Sequence, residues 1–211
     1  MKFRAIKLSL IIILIFLAQV LIPSFTNLFV LNSSAWTQPW RFITSIFLHA
    51  NIVHLLYNLL ALALFGSILE KFIGGKRFLL IFFVSGILAN LLSINFYSSS
   101  LGASGAIFGI IGALIVIRPL LTVWAFGMPM PLFVAGILWA AGDLIGAYGF
   151  LTGQPIDNTG NIAHLTGMAF GIILGAIFRS PNKKQKNTKI KINEHFIQNW
   201  ENNYMTRPNS K

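Results

Sequence analysis

The sequence contains no cysteine, which excludes disulfide bonds, thiolate catalysis and cysteine metal sites. It is also poor in charge, because aspartate, glutamate, lysine and arginine make up only 10% of its 211 residues. With 55% hydrophobic residues and a mean hydropathy of +0.74, the chain is too apolar for a soluble globular domain. These proportions predict an integral membrane protein with no large soluble domain beside its spans.

Six apolar segments qualify as membrane-spanning helices, since roughly 20 apolar residues cross a bilayer. They cover about residues 8–25, 52–69, 78–94, 104–117, 132–150 and 162–178, and the fourth is short. The first resembles a signal peptide, but it is long for one and has no convincing small-residue cleavage site, so we interpret it as a retained span. The predicted fold is an all-α polytopic membrane bundle of six helices over residues 1–179, followed by a basic cytoplasmic tail over residues 180–211.

The basic residues sort to one side of this arrangement. With the N-terminus placed in the cytoplasm, 15 of the 16 lysines and arginines fall on the cytoplasmic side, and only Arg41 falls outside. Lysine and arginine accumulate in cytoplasmic loops, so both termini are predicted to be cytoplasmic. The same distribution accounts for the net charge of +11 without a nucleic-acid partner.

The predicted tail contains five lysines between positions 183 and 191, followed by Phe196, Trp200 and Tyr204 at intervals of four. If this segment is helical, the three aromatic side chains share one face. Two interpretations stay open for the tail: a solvated, partly disordered segment, or an interfacial helix attracted to anionic lipid.

Polar side chains within the spans fall at one depth. His54 and Asn58 lie early in the second span, Ser104 begins the fourth, and His164 lies early in the sixth. These three spans enter the membrane from outside, whereas the fifth runs outward and carries Asp143 in its later part. All five residues therefore fall in the outer half of the bilayer, where polar groups are costly and indicate function.

Two glycine stripes lie beside the reactive side chains, Gly105, Gly109 and Gly112 in the fourth span and Gly167, Gly171 and Gly175 in the sixth. Small residues allow helix backbones to approach closely in lipid. We therefore expect the Ser104 hydroxyl and the His164 imidazole to come within hydrogen-bond reach. This is the geometry of a serine activated by a histidine base.

Each of these polar residues also has a purely structural interpretation. Ser104 can be a helix N-cap, and a histidine within a span can simply be packed and hydrogen-bonded. His49, His54 and His164 can be considered as zinc ligands, but the first two are poorly spaced for one helix face and no carboxylate is placed to help. Neither a metal nor a cofactor is therefore predicted. Asp143 either orients His164 as a third triad member or is a structural hydrogen-bonding group near the end of its span.

Four motifs, in this order along the chain, resemble those of the rhomboid intramembrane serine proteases. Trp40-Arg41 resembles the WR pair of the first loop, and residues 49–58 resemble the second-span pattern of two histidines followed by an asparagine. Residues 102–105 look like the GxSG motif, and residues 163–171 look like AHxxGxxxG of the last span. The resemblance extends from about residue 8 to residue 178.

The resemblance implies a catalytic dyad in which Ser104 is the nucleophile and His164 the general base. It implies an oxyanion hole formed by His54, Asn58 and the Ser104 backbone N–H. Family members often have a tyrosine four residues after the serine, and this chain has Phe108, which keeps the ring and lacks the hydroxyl.

The resemblance further implies that Asp143 is not catalytic, and that the first loop and its Trp-Arg pair are structural. The sequence as a whole predicts an intramembrane serine endopeptidase that cleaves transmembrane helices of membrane-protein substrates on the extracytoplasmic side. One alternative is a catalytically inactive rhomboid-like protein that binds client transmembrane helices, although such relatives usually lack the serine or the histidine. A transporter or channel is a third alternative, which the lack of polar residues in the inner half of the spans argues against.

Overall fold

The computed structural model describes residues 3–156, 160–179 and 194–205. Within the compact unit Met1–Arg179, six long or apolar helices correspond to the six predicted spans. They are α1 Arg4–Leu21, α2 Ile52–Ile73, α3 Gly75–Ser93, α4 Ser104–Ile117, α5 Leu132–Leu151 and α6 Asn161–Phe178. Five of them have 18 to 22 residues and are long and apolar enough to cross a membrane, while α4 is an apolar helix of 14 residues. The predicted polytopic all-α membrane fold is confirmed.

The helix ends differ from the predicted ones where hydropathy is a poor guide. Helix α1 begins at Arg4 instead of residue 8, because basic residues can be helical although they are not apolar. It ends at Leu21, and Ile22 is extended, as expected of a residue that precedes proline. Helix α2 runs past the predicted end at residue 69 to Ile73, and Gly74 then stops it with φ +81°.

The long first loop is folded around a buried guanidinium. Arg41 donates from Nη1 to the carbonyl oxygens of Asn27 at 2.9 Å and Val30 at 2.8 Å, and from Nε to Gln38 Oε1 at 2.7 Å. The strand β1, Leu31–Asn32, then pairs antiparallel with β2, Ser99–Ser100. The loop is thereby joined to the segment that immediately precedes α4.

Helices α4 and α6 are in backbone contact along both predicted glycine stripes. A Cβ atom on Gly167 would overlap the carbonyl oxygen of Gly105, and one on Gly171 would overlap that of Gly109. At Gly175 a Cβ atom would lie 2.7 Å from the Cα atom of Ala113. Helix α4 also packs against α3, since a Cβ on Gly105 would lie 2.8 Å from the Cβ of Ala89. Close approach of the fourth and sixth spans therefore depends on the absence of side chains.

A β-hairpin that was not predicted from the sequence connects α4 to α5. Its strands are β3, Thr122–Ala125, and β4, Met128–Pro131, paired antiparallel. Val123, Ala125 and Met130 are buried against the helices. The connection is therefore an ordered element packed on the bundle.

The second compact unit is Ser180–Lys211, and its described part is the helix α7, Glu194–Tyr204. Phe196, Trp200 and Tyr204 lie on this helix and are exposed. The five lysines of the predicted basic segment lie outside the described residues. Contact of this helix with lipid stays a prediction.

We predict that Gly171→Ala destabilises the protein by about 1–3 kcal/mol, because the added methyl group has no space against the Gly109 carbonyl. The matched control is Gly142→Ala on α5, where no heavy atom lies within 4 Å of the added Cβ. That change is expected to be neutral or stabilising by up to about 1 kcal/mol through helix propensity. Unfolding in detergent measures both, and equal stability of the two variants would contradict the backbone contact.

Candidate active site

The four residues expected to form the site line one cavity of about 1080 Å³ between the helices. Ser104 comes from α4, His164 from α6, and His54 and Asn58 from α2. The imidazole of His164 and the amide of Asn58 are buried, while Ser104 and His54 are half-buried. Three separate helices thus bring these polar side chains to one hollow within a largely apolar bundle.

Ser104 is the first residue of α4 and follows a tight loop. The N-cap position belongs to Ala103, and no side chain caps this end of the helix. The alternative of Ser104 as an N-cap residue is therefore not what the structure shows. The first backbone N–H groups of α4 have no carbonyl partner within their own helix, and the positive end of the helix dipole lies among them.

Gly102 shapes the loop before the serine. Its N–H donates to the Ser45 carbonyl oxygen at 2.9 Å, and its φ of +126° is one that residues with a side chain rarely adopt. A Cβ atom at this position would lie 2.7 Å from Cε1 of His54. The glycine therefore lets the loop pass directly against the His54 ring.

The His164 ring is held on its edge and on its face. Its Nδ1 atom lies 3.0 Å from Oδ1 of Asp143 on α5, and both side chains are buried. Its face stacks on Phe108, with ring centroids 4.2 Å apart and planes only 5° from parallel. The ring at position 108 thus stacks on the imidazole without contributing a hydroxyl. Contact with the Asp143 carboxylate favours a proton on Nδ1 of neutral His164, which leaves Nε2 as the basic nitrogen.

His54 and Asn58 are one helical turn apart at the beginning of α2. The Asn51 side chain caps this helix by accepting from the His54 N–H at 2.8 Å. Asn58 donates through Nδ2 to the His54 carbonyl oxygen at 2.8 Å. An amide nitrogen carries two hydrogens, so Asn58 retains a second donor.

His49 does not line the cavity with the others. It is buried in the loop before α2, with Nδ1 at 3.3 Å from the Phe47 carbonyl oxygen and its ring 5.0 Å from that of His54. Burial, and secondarily the neighbouring His54, lower the pKa of His49 to about 4, so its ring is neutral at pH 7. Among the residues that the structure describes, histidine, aspartate and glutamate do not form a group of three or more that could hold a metal ion.

The sequence left one feature of the site open, the role of Asp143, and did not predict another, the contact made by Tyr97. The contact between Asp143 and His164 joins residues 21 positions apart, and the sequence left the role of Asp143 open. Tyr97 accepts from the Ile162 N–H at 3.2 Å and packs on Phe150 at a centroid distance of 4.9 Å. An aromatic residue in a polar loop beside Ser104 was the only available signal for this second contact.

Comparison with known proteins gives concordant matches. A family model described as Rhomboid domain matches residues 36–181. RHOMBOID-like protein 1 of Arabidopsis thaliana is 35% identical over 66% of this chain and 34% of its own length. RHOMBOID-like protein 7 of the same plant is 33% identical over 72% of this chain and 49% of its own length. Rhomboid protease GluP of Bacillus subtilis (strain 168) is 48% identical over 37% of this chain and 16% of its own length. The chain thus spans at most about half of these relatives.

We predict that Gly102→Ala impairs the site more than it impairs the fold. Its positive φ strains any residue with a side chain, at a cost of about 1–3 kcal/mol, and the new methyl group also displaces the His54 ring. Gly74→Ala is the matched control, because Gly74 has φ +81° but no neighbour within 4 Å. Gly102→Ala should lose at least as much stability in detergent as Gly74→Ala, because it adds the contact with His54 to the strain of a positive φ. Only Gly102→Ala should slow the reaction of Ser104 with a fluorophosphonate, by about tenfold or more; equal rates would show that His54 has no part in it.

Proposed function

The chain belongs to the rhomboid family, and on that premise we propose that it is an intramembrane serine endopeptidase. It cleaves transmembrane segments of membrane-protein substrates with a catalytic dyad of Ser104 and His164. The observation that best supports this proposal is the common cavity, which both residues line together with His54 and Asn58. The names of several relatives, such as Rhomboid protease GluP, are consistent with a protease.

In the proposed reaction, Nε2 of His164 removes the proton of the Ser104 hydroxyl as the oxygen attacks a substrate peptide carbonyl. The resulting oxyanion accepts hydrogen bonds from the Ser104 N–H, His54 and Asn58. The C–N bond then breaks, and His164 gives its proton to the leaving amine. A water molecule, deprotonated by the same histidine, hydrolyses the acyl-enzyme and regenerates the serine.

The surroundings of the dyad favour a substrate that is itself in the membrane. The deeper wall of the cavity includes Phe65 and Trp139, whose rings meet edge to face at 6.2 Å, and Ile111. Such an apolar wall is suited to contact with an apolar segment of a substrate. A peptide carbonyl within a helix is already hydrogen-bonded, so the substrate helix must unwind at the cleaved bond. Glycine or serine near the outer face of a substrate helix helps to meet this requirement, because both residues have lower helix propensity than alanine or leucine.

We assign the dyad to the extracytoplasmic half of the cell membrane, with both ends of this sequence in the cytoplasm. The distribution of lysine and arginine supports this orientation. Two cation–π contacts lie at the bundle end away from Ser104: Arg118 over Phe72 at 4.4 Å and Arg77 over Phe178 at 5.5 Å. Both contacts place basic residues from separate loops at the end of the bundle that we propose faces the cytoplasm. In this assignment residues 1–179 form the protease domain and residues 180–211 a basic cytoplasmic tail.

We expect Ser104→Ala to abolish both fluorophosphonate labelling and cleavage of a transmembrane substrate, lowering the rate by about 10³-fold or more. The matched control is Ser85→Ala, which removes a buried serine hydroxyl on α3 that has no hydrogen-bond partner and does not line the cavity. This variant should label and cleave as the wild type does. The measurements use purified protein in proteoliposomes.

Two outcomes would contradict the proposal. Cleavage by Ser104→Ala at the wild-type rate would exclude Ser104 as the nucleophile. A wild-type protein that binds transmembrane helices but neither labels nor cleaves would instead indicate the inactive rhomboid-like alternative.

A further inference from the structure

Asp143 is a buried carboxylate with a single hydrogen-bonding partner among the described residues. One oxygen lies 3.0 Å from Nδ1 of His164, and the other, Oδ2, is buried without a hydrogen-bond partner. The other carboxylate buried among the described residues of the bundle is Glu70, which accepts from the Ala5 N–H at 3.2 Å. Asp143 therefore differs from Glu70 in that its contact is with the proposed general base.

Burial of the Asp143 carboxylate has a free-energy cost that a purely space-filling role does not explain. A carboxylate within a membrane helix loses hydration that a half-satisfied site does not restore. A neutral side chain of similar size would pack there at lower cost. The charge is best compensated when His164 becomes positive, because an imidazolium next to a carboxylate is stabilised.

We propose that Asp143 is a positioning residue for His164, an inference that rests on the proposed protease function. The Asp143 carboxylate accepts a hydrogen bond from Nδ1–H of His164, which fixes the tautomer and aims Nε2 at the Ser104 hydroxyl. As Nε2 takes the serine proton, the ring becomes an imidazolium paired with the carboxylate. The Nδ1 proton stays on the histidine, Asp143 stays ionised, and the Nε2 proton later goes to the leaving amine. Asp143 itself touches neither the substrate nor the reacting atoms.

The titratable groups around His164 are few in the described structure. Asp143 faces it from α5 and His54 approaches it from α2, while the Tyr97 hydroxyl lies close by at the beginning of α6. Helix α4 carries no titratable side chain, and those of α3, Lys76 and Arg77, lie in its first turn at the end away from Ser104. Asp143 is thus the one negative charge that faces the histidine within the described residues.

The test compares Asp143→Asn with Glu70→Gln, which removes the other buried carboxylate charge. In Asp143→Asn the amide can donate to Nδ1 and impose the wrong tautomer, so kcat should fall roughly 100-fold or more while KM changes less than about threefold. The acidic limb of the kcat/KM profile should move to lower pH, because the imidazolium loses its negative neighbour. Glu70→Gln should leave kcat and the pH profile unchanged. Thermal unfolding of the two variants checks that any loss is not one of folding.

A second measurement needs no variant of Asp143. NMR of wild-type protein with 15N-labelled histidine measures which ring nitrogen carries the proton. The His164 signals are assigned by their loss in His164→Gln, and they should report a proton on Nδ1. A proton on Nε2 instead, or an Asp143→Asn enzyme with wild-type kcat and pH profile, would overturn the inference. If Ser104→Ala is inactive in the same assay, the protease function survives that result. If Ser104→Ala is fully active, the proposed function itself has failed.

The hairpin between α4 and α5 carries a separate inference. Residues 119–131 contain no charged side chain. Trp124, which is 75% exposed, projects from the face opposite the buried Val123 and Ala125, and Phe126 in the turn and Met128 across from Ala125 are also exposed. The Phe126 ring lies 6.0 Å from the ring of Trp139, which is seven residues, or about 10 Å, beyond the beginning of α5. The hairpin therefore runs back along α5.

The outer edge of β4 has no backbone N–H group. Phe126 and Gly127 form the turn, with φ of 53° and 79°, and Ala125 pairs with Met128 beside it. Alternation of the ladder then places Pro129, opposite Trp124, and Pro131, opposite Thr122, at positions whose backbone nitrogen points away from the partner strand. Proline has no N–H, so the outer edge of β4 has no donor to leave unpaired in lipid.

We infer that this hairpin lies within the bilayer, in the leaflet at the end of the bundle away from Ser104, with its exposed apolar side chains among lipid acyl chains. The length of α4 agrees with this placement. Its 14 residues span about 21 Å, less than the roughly 30 Å of hydrocarbon, and the hairpin follows directly at its end.

The absence of cysteine from the sequence permits a direct test by single-cysteine spin labelling in proteoliposomes. Trp124→Cys and Met128→Cys are compared with Ile137→Cys, on an exposed position of α5, and Gln154→Cys, on the exposed loop after α5. The two hairpin labels should match Ile137→Cys, with high collision rates with oxygen and low rates with a water-soluble nickel chelate. Nickel accessibility like that of Gln154→Cys at both hairpin positions would overturn the inference.

Discussion

The backbone contact between α4 and α6 is the constraint from which the site follows. Gly105 and Gly109 meet Gly167 and Gly171 without intervening side chains, so the two helices lie as close as helices can. Ser104 immediately precedes the first of these glycines, and His164 lies one helical turn before the facing one. Packing within lipid, where the hydrophobic effect provides no drive between helices, thus also determines how near the hydroxyl and the imidazole come.

The remaining elements restrict the freedom of those two groups. The buried Arg41 folds the first loop, whose Ser45 carbonyl receives the Gly102 N–H and so holds the loop that leads into α4. Phe108 supports the face of the imidazole, and Asp143 engages its edge from α5. A reactive serine needs its base in one orientation, and four separate segments contribute to that orientation.

The sequence was sufficient for the features that repeat along a helix or depend on composition. The six apolar helices and both glycine stripes could be predicted, because hydropathy and small residues at intervals of three or four describe surfaces of a single helix. The contact of Asp143 with His164 could not be established from the sequence, because it depends on how α5 is rotated relative to α6. No local sequence pattern specifies that rotation. The hairpin was missed because residues 118–131 lay between two predicted spans and were assigned to a connection, and hydropathy gives no signal for the pairing of two short strands.

The polar groups of this bundle are distributed in a way that packing alone does not require. At the end of α4 that begins with Ser104, two histidines and an asparagine line a cavity, and a carboxylate contacts one of these histidines. At the other end, a hairpin without charge packs against the helices, and two arginines lie over aromatic rings. Apolar and cationic groups there suit acyl chains and headgroups, whereas hydrolysis requires water. In the proposed protease, a polar cavity at one end and an apolar hairpin at the other would admit water to Ser104 without opening a path across the membrane.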